Sequence, residues 1–362
     1  MADEATVEKW LRELTHLPTA PGMEGAVVDW ARNWVADRDD LHTQPDSGGN
    51  LLITQKRGAE QAPLIAVAHM DHPAFVITAA KGSRAQFEFR GGVTAPYFED
   101  AQVEIVSRLD GPRGTVTSYD PETQTGQIEM ADGARAEAGD IATFRFRVED
   151  PAKGRFQAPA CDDLAGCAAA LAALDRLRHE PGMGHFGVLL TRAEEVGLLG
   201  AIYAAKHGTI PEDARLISIE TSRELPEARI GDGPIIRTGD RSTVFDRELT
   251  NRISRAAVEA ELHHQRKLMS GGGCEASAFG AYGYRATGMC LALGNWHNRG
   301  HLDAVEAGDG EAVPMLEEIS LDDFHGLVDL LALAAEAVDR EDGLRQRLDE
   351  GYESRRDLLG DL

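Results

Sequence analysis

Between residues 85 and 148 polar and apolar side chains alternate one by one, as in Gln86-Phe87-Glu88-Phe89-Arg90, Gln102-Val103-Glu104-Ile105-Val106 and Gln127-Ile128-Glu129-Met130. A period of two places the apolar side chains of each run on one face, the pattern of strands buried on one side only. Gly114-Thr115-Val116-Thr117 and residues 143–148 continue it, and Gly-, Asp- and Pro-containing turns divide the runs. Such a block is long enough for a small β-barrel of its own. Glu149-Asp150-Pro151-Ala152-Lys153-Gly154 reads as its exit linker.

The rest of the chain keeps a different rhythm. Apolar residues recur at helical spacing over 7–14 and 27–35, and short apolar runs at 50–54 and 64–68 suit buried strands. After the alternating block, helices are expected over 165–177, 199–207, 252–263 and 321–338, with strands over 185–191, 215–219 and 287–293. Helices alternating with short apolar strands imply an α/β fold: a mostly parallel, mixed sheet with helices on both faces. The expected division is one α/β domain made of residues 1–84 and 159–362, with residues 85–158 inserted as a β-rich domain.

Charge narrows the partners. Sixty-one acidic against 37 basic residues give a net charge of −24, which repels phosphate backbones, so neither nucleic acid nor an anionic membrane is expected to bind. No run approaches the roughly 20 apolar residues that span a bilayer, and the acidic start lacks a secretory pattern. A cytoplasmic location is the expectation. The four cysteines, at 161, 167, 274 and 290, form no Cys-x-x-Cys pair, so reduced, buried thiols are expected in place of disulfides or a thiolate zinc site.

The chemistry-bearing residues gather at strand ends. His69-Met70-Asp71-His72 follows the run 64–68, Glu194-Glu195 follows 185–191, Glu220 follows 215–219, His297 comes shortly after 287–293, and Asp162-Asp163 opens the helix at 165. Each group alone has an ordinary explanation, such as a helix cap for Asp162-Asp163 or a solvated helix start for Glu194-Glu195. Together they fall on the carboxyl edge of one sheet, where open α/β sheets bind ligands. Two histidines and several carboxylates without thiolates suit Zn²⁺, Co²⁺ or Mn²⁺.

The order His-x-Asp, Asp-Asp, Glu-Glu, acidic residue after a strand, and final His resembles the di-metal exopeptidase clan. Within that clan the chain most resembles the glutamyl aminopeptidase and tetrahedral aminopeptidase family, through Asp46-Ser47-Gly48-Gly49-Asn50-Leu51, Glu194-Glu195-Val196-Gly197 and Gly231-Asp232-Gly233-Pro234-Ile235-Ile236-Arg237. The position of the alternating block, between His69 and Asp162, matches that family; acylase-type relatives carry their extra domain later. Glu220 stands where the family usually has Asp, and Leu164 where it commonly has Arg.

The resemblance implies two divalent metal ions per chain, zinc first, with cobalt or manganese as alternatives. His69 and Glu220 would hold one ion, Glu195 and His297 the other, and Asp162 would bridge them. Glu194 would be the general base and Asp71 the carboxylate that orients His69. Asp163 would stand behind the ligands, His72 would line the pocket or add a ligand, and Glu275 could receive the substrate's amine, as could Glu195 or Glu220. The implied activity is aminopeptidase action on peptides, with a metal-dependent carboxypeptidase or N-acyl amide deacylase, or an inactive binding or scaffold relative, as alternatives. Residues 1–84 and 159–362 would then be the catalytic metallopeptidase domain. The inserted domain would serve oligomerisation or substrate access, giving a dimer or larger homo-oligomer.

Overall fold

A computed structural model describes residues 2–108, 111–341 and 343–359. Its frame is an eight-stranded mixed sheet whose four central strands, Phe186–Thr191, Leu64–His69, Arg215–Arg223 and Arg285–Leu293, run parallel and side by side. Antiparallel strands Leu41–Pro45 and Leu51–Gln55 extend one edge, and Ile235–Gly239 with Gln265–Leu268 extend the other.

All six residues of Leu64–His69 are buried, yet the strand still has two faces. Leu64, Ala66 and Ala68 join the core that holds the helices Glu4–Leu14, Leu164–Leu177 and Leu321–Ala337. Ile65 and Val67 join a second core, with residues of the helices Leu199–His207 and Glu275–Ala281. A continuous apolar run is what a strand covered on both sides requires. The central helix, Leu164–Leu177, buries nearly every residue because it lies between the sheet and other helices.

The alternating block forms a closed six-stranded barrel. Its interior is aromatic: the rings of Phe87, Phe89 and Phe144 stand 4.8–4.9 Å from Phe75, edge to face, a favoured geometry for such pairs. At Gly126 a side chain is excluded, since a Cβ would fall 2.1 Å from the Ser118 carbonyl oxygen.

The barrel differs from the expected range 85–158 at both ends. Its first strand is Ala74–Lys81, paired with Arg84–Arg90; the uninterrupted apolar start of that strand hid it from a search for alternation. The strand Arg155–Ala158 pairs instead with Glu317–Ser320, outside the barrel. All four cysteines are free and buried. Among the described residues, no helix is long and apolar enough to cross a membrane. The last helices among the described residues are Leu344–Glu353 and the 3₁₀ turn Arg356–Leu359.

Candidate metal centre and active site

Two of the parallel strands end side by side at His69 and Thr191, while Arg215–Arg223 runs on past Glu220, which its register sets level with His69; this carboxyl edge brings distant residues to one place. His69 is the last residue of its strand and lies in register with Thr191, three positions before Glu194. Glu220 sits in the next strand over. Asp162 precedes the central helix and is joined to Asp163 by a cis peptide bond. His297 follows the Arg285–Leu293 strand.

Asp162 is the centre. One carboxylate oxygen lies 3.4 Å from His69 Nε2 and the other 3.6 Å from His297 Nε2, whose Nε2 is also 3.1 Å from Glu195 Oε1. The ligand atoms of His69, Asp162 and Glu220 lie within 4.8 Å of one another, and so do those of Asp162, Glu195 and His297. His69, Glu194 and Glu195 form a third such group, with Glu194 Oε2 4.0 Å from His69 Nε2.

Both histidines have a fixed orientation. His69 Nδ1 donates to the carbonyl of Asp71 at 3.1 Å, and His297 Nδ1 to the carbonyl of Gly92 at 2.9 Å. Each Nδ1 is thereby committed, and each Nε2 points at Asp162 as a metal-binding lone pair would. Gly92 lies just beyond a barrel strand, so the barrel helps aim a residue of the site.

The carboxylates are held less by cations than by main chain. The Asp71 carboxylate receives the main-chain N–H groups of Glu194 and Glu195 at 3.0 and 3.1 Å, while its Oδ1 is 3.7 Å from His69 Nδ1. His69 is therefore oriented by the Asp71 carbonyl, and the Asp71 side chain fixes the Glu194-Glu195 turn. Trp296 Nε1 donates to Asp162 Oδ2 at 3.0 Å. Asp163 Oδ1 accepts from the Thr221 hydroxyl at 2.9 Å. His72 is buried, with Nδ1 2.6 Å from the Asp162 carbonyl oxygen and Nε2 3.0 Å from Asn298 Oδ1. Both ring nitrogens thus face protein oxygens.

Glu275 is buried at the start of its helix and is not among the residues lining the cavity that opens from the cluster. That cavity, about 640 Å³, is lined by Asp162, Glu194, Glu195, Glu220 and His297. Arg237 forms part of its wall, and Arg241, exposed, lines it as well.

So many buried carboxyl groups packed together cannot all stay ionised. Burial, then the charge of Asp162, pushes Glu220 up to about 8 against the pull of His69. Burial, then Glu220, raises Glu194 well above the usual range. Burial alone would depress His297, but Glu195 and Asp162 carry it up to about 10. For His69, too, burial is outweighed by the nearby carboxylates of Asp162, Glu194 and Asp71. Asp162, between the two histidines, is lowered despite its burial. One buried oxygen in each of Asp162 (Oδ1), Asp163 (Oδ2) and Glu220 (Oε1) has no hydrogen-bond donor. Unpartnered carboxylate oxygens facing imidazole lone pairs are the donor set of divalent cations, and the residues fit such ions.

The profile of the M42 glutamyl aminopeptidases matches residues 127–309, just over half the chain. The chain belongs to that family. It is a metal-dependent aminopeptidase, the first of the readings the sequence left open. The match spans Asp162, Glu194, Glu195, Glu220 and His297, while His69 and Asp71 precede it. A curated protein of Acetivibrio thermocellus, provisionally named an aminopeptidase, is 24% identical over 260 residues, 64% of this chain and 73% of that one. An aminopeptidase of the archaeon Desulfurococcus kamchatkensis superimposes with a TM-score of 0.73 at 22% identity, covering 95% of this chain and 98% of its own. The TET1 peptidase of Pyrococcus horikoshii, which assembles into a tetrahedron or a large octahedral shell, gives 0.73 at 21%, covering 92% and 99%. At these identities the structural likeness is one of fold.

Two supports of the site escape a reading of the sequence. Glu317 takes the main-chain N–H groups of Cys161, Asp162 and His297, and Glu24 reaches the segment before Glu194. Neither lies near a ligand in sequence, and no local pattern marks either.

Proposed function

We propose that this aminopeptidase cleaves the N-terminal residue from peptides with two divalent ions, one held by His69 and Glu220, the other by Glu195 and His297, with Asp162 shared. The observation that carries the reading is the paired commitment of both histidine Nδ1 atoms to main-chain carbonyls, which turns both Nε2 atoms onto the one Asp162 carboxylate. When bound, such ions polarise the scissile carbonyl and acidify a water.

The chain's own residues supply the rest. Glu194, at the cavity wall and bonded by its main chain to Asp71, takes the proton of the attacking water and returns it to the departing amine. Asp71 keeps Glu194 and Glu195 in place. Glu195 and Glu220 line the cavity and can receive the substrate's ammonium group, whereas Glu275 lies off it. Arg237 and Arg241 on the wall favour an acidic side chain on the N-terminal residue.

Zinc is the proposed ion, with cobalt or manganese able to occupy the same donors. The cytoplasm, where thiols stay reduced, is the proposed compartment; four free buried cysteines fit it. Self-association through the barrel to a dimer or larger homo-oligomer is proposed with the support of the assemblies that the Pyrococcus horikoshii TET1 peptidase forms. The division into a catalytic unit and an inserted barrel unit belongs to the same reading.

The test is Glu194→Gln, assayed on aminoacyl amides alongside elemental analysis. Turnover should vanish while the ion content stays near two per chain. Loss of an ion with the activity would make Glu194 a ligand, and surviving turnover would remove it as the base.

A further inference from the structure

Glu24 is a buried carboxylate that the chemistry above does not use. It stands at the start of the Gly25–Ala36 helix but makes no cap there. Its side chain turns instead to a segment some 170 residues away. Oε1 accepts from the Ala193 main-chain nitrogen at 3.0 Å and from that of Gly22 at 2.7 Å, and Oε2 accepts from Arg192 Nε at 2.6 Å.

The neighbours of that contact form a series. Arg192 N donates to Asn50 Oδ1 at 3.1 Å, Ala193 N to Glu24, Glu194 N to Asp71 Oδ1 and Glu195 N to Asp71 Oδ2. Four consecutive main-chain donors, beyond the last residue of the Phe186–Thr191 strand, thus end on side-chain oxygens from three remote segments. The Asn50 amide has a fixed orientation, since its Nδ2 donates to Asp46 Oδ2 and to the Gly200 carbonyl. A terminating strand ordinarily gives such donors to a neighbouring strand or to water; here each has a dedicated acceptor.

Ala193 explains why one is needed. Its φ of +52° is left-handed, a conformation that any residue with a Cβ disfavours. That twist redirects the chain from the strand into the Glu194-Glu195 turn. The acceptor on its own N–H is Glu24.

We propose that Glu24 is a positioning residue for the peptidase reaction: by holding the Ala193 N–H it keeps the left-handed twist and so aims Glu194 and Glu195. The inference rests on the roles proposed above for those two residues.

The test compares Glu24→Ala, Glu24→Gln, the double variant Glu24→Ala/Ala193→Gly and, in parallel, Glu194→Gln. Each is assayed for kcat and KM on an aminoacyl amide, for ion content and for thermal unfolding. Glu24→Ala should lower kcat by about tenfold or more, the scale on which small misplacements of reacting groups act. Its KM should change by less than about threefold, since ground-state binding is left alone.

Glu24→Gln keeps an oxygen for the Ala193 N–H and should stay within about threefold of the parent in kcat. Glycine adopts the left-handed twist without strain, so the double variant should recover much of the loss. Unchanged kcat in Glu24→Ala, equal damage in Glu24→Gln, or no recovery in the double variant would overturn the proposal. If Glu24→Ala does not fold, Ala193→Val, which burdens the same twist with Glu24 intact, must reproduce the kcat loss; an unchanged kcat would overturn it. An active Glu194→Gln would instead count against the role of Glu194 itself.

Discussion

Glu317 Oε1 accepts the main-chain N–H of His297 at 2.8 Å, while its Oε2 takes those of Cys161 and Asp162 at 2.7 and 3.0 Å. One buried side chain thus joins the two segments that carry Asp162 and His297, from the edge strand Glu317–Ser320. Removing it leaves three buried donors without a partner, each worth about 1–3 kcal/mol when stranded.

Glu317→Ala should therefore destabilise the fold by about 3 kcal/mol or more after partial relaxation, read as a lower unfolding temperature. It should also weaken the ion assigned to Glu195 and His297 by roughly 10–100-fold, the usual cost of losing a group that orients ligands. Titration of metal-stripped protein measures this. An unaltered titration would remove Glu317 from the support of the site.

The site was legible in sequence because its chemistry sits at strand ends. An apolar run followed by His69-Met70-Asp71, or by Glu194-Glu195, marks the carboxyl edge of a sheet. What holds those residues was not legible. Glu24 has the local context of an ordinary helix start, and Glu317 sits in Leu316-Glu317-Glu318-Ile319-Ser320, where nothing separates a buried acid from a solvated one. Ala193, which Glu24 holds, lies 169 residues away, and Asp162, which Glu317 holds, lies 155 residues away. The barrel shows the same limit. Alternation exposes strands with one wet face, as at Phe87 and Phe89, but Ala74–Lys81 begins with four buried residues in a row.

Gly166 leaves room for Asp163, the residue just before the central helix, to lay its carboxylate over the first turn of that helix. A Cβ there would lie 2.3 and 2.4 Å from the two carboxylate oxygens of Asp163, too close to tolerate, and Asp163 is pinned by Thr221. Gly166→Ala should cost about 1–3 kcal/mol as an overpacked core position, despite the better helix propensity of alanine. Because Asp163 adjoins Asp162, metal affinity should fall with it. A variant as stable as the parent, with full ion content, would show that the Asp163 side chain can move aside without loss.

Arg241 lines the cavity, is exposed and has no ion pair among the described residues, whereas Arg223 on the same wall is engaged by Asp303 and Glu306. Arg241 is thus available to a substrate side chain. Arg241→Glu should lower kcat/KM for an N-terminal glutamyl amide by about tenfold, the equivalent of about 1.4 kcal/mol, and should raise it for a lysyl amide. Equal changes for both substrates would place Arg241 outside the specificity pocket.

Removing the ions should make stability fall as pH rises. In the metal-free protein burial lifts Asp71 to about 6, Glu220 to about 8, and Glu275 and Glu317 to about 7. His297, held up by Glu195 and Asp162 against its burial, titrates near 10. Each value exceeds that of the unfolded chain, so the folded state binds more protons. The stability these groups contribute is complete below their unfolded values and is lost as pH climbs through the folded ones, from about 6 to about 10. Asp162 is shifted the other way, but its contribution is already full above about pH 4 and does not vary in this window. Bound ions need the ligands deprotonated, so their stabilisation grows over the same range. The unfolding temperature of chelator-stripped protein should drop between pH 5.5 and 8.5, and the gap to the zinc-loaded protein should widen. The loaded protein carries the same surface charge and serves as the control. A stripped protein that gains stability toward pH 8.5, or a gap that narrows, would contradict a cation centre built from these residues.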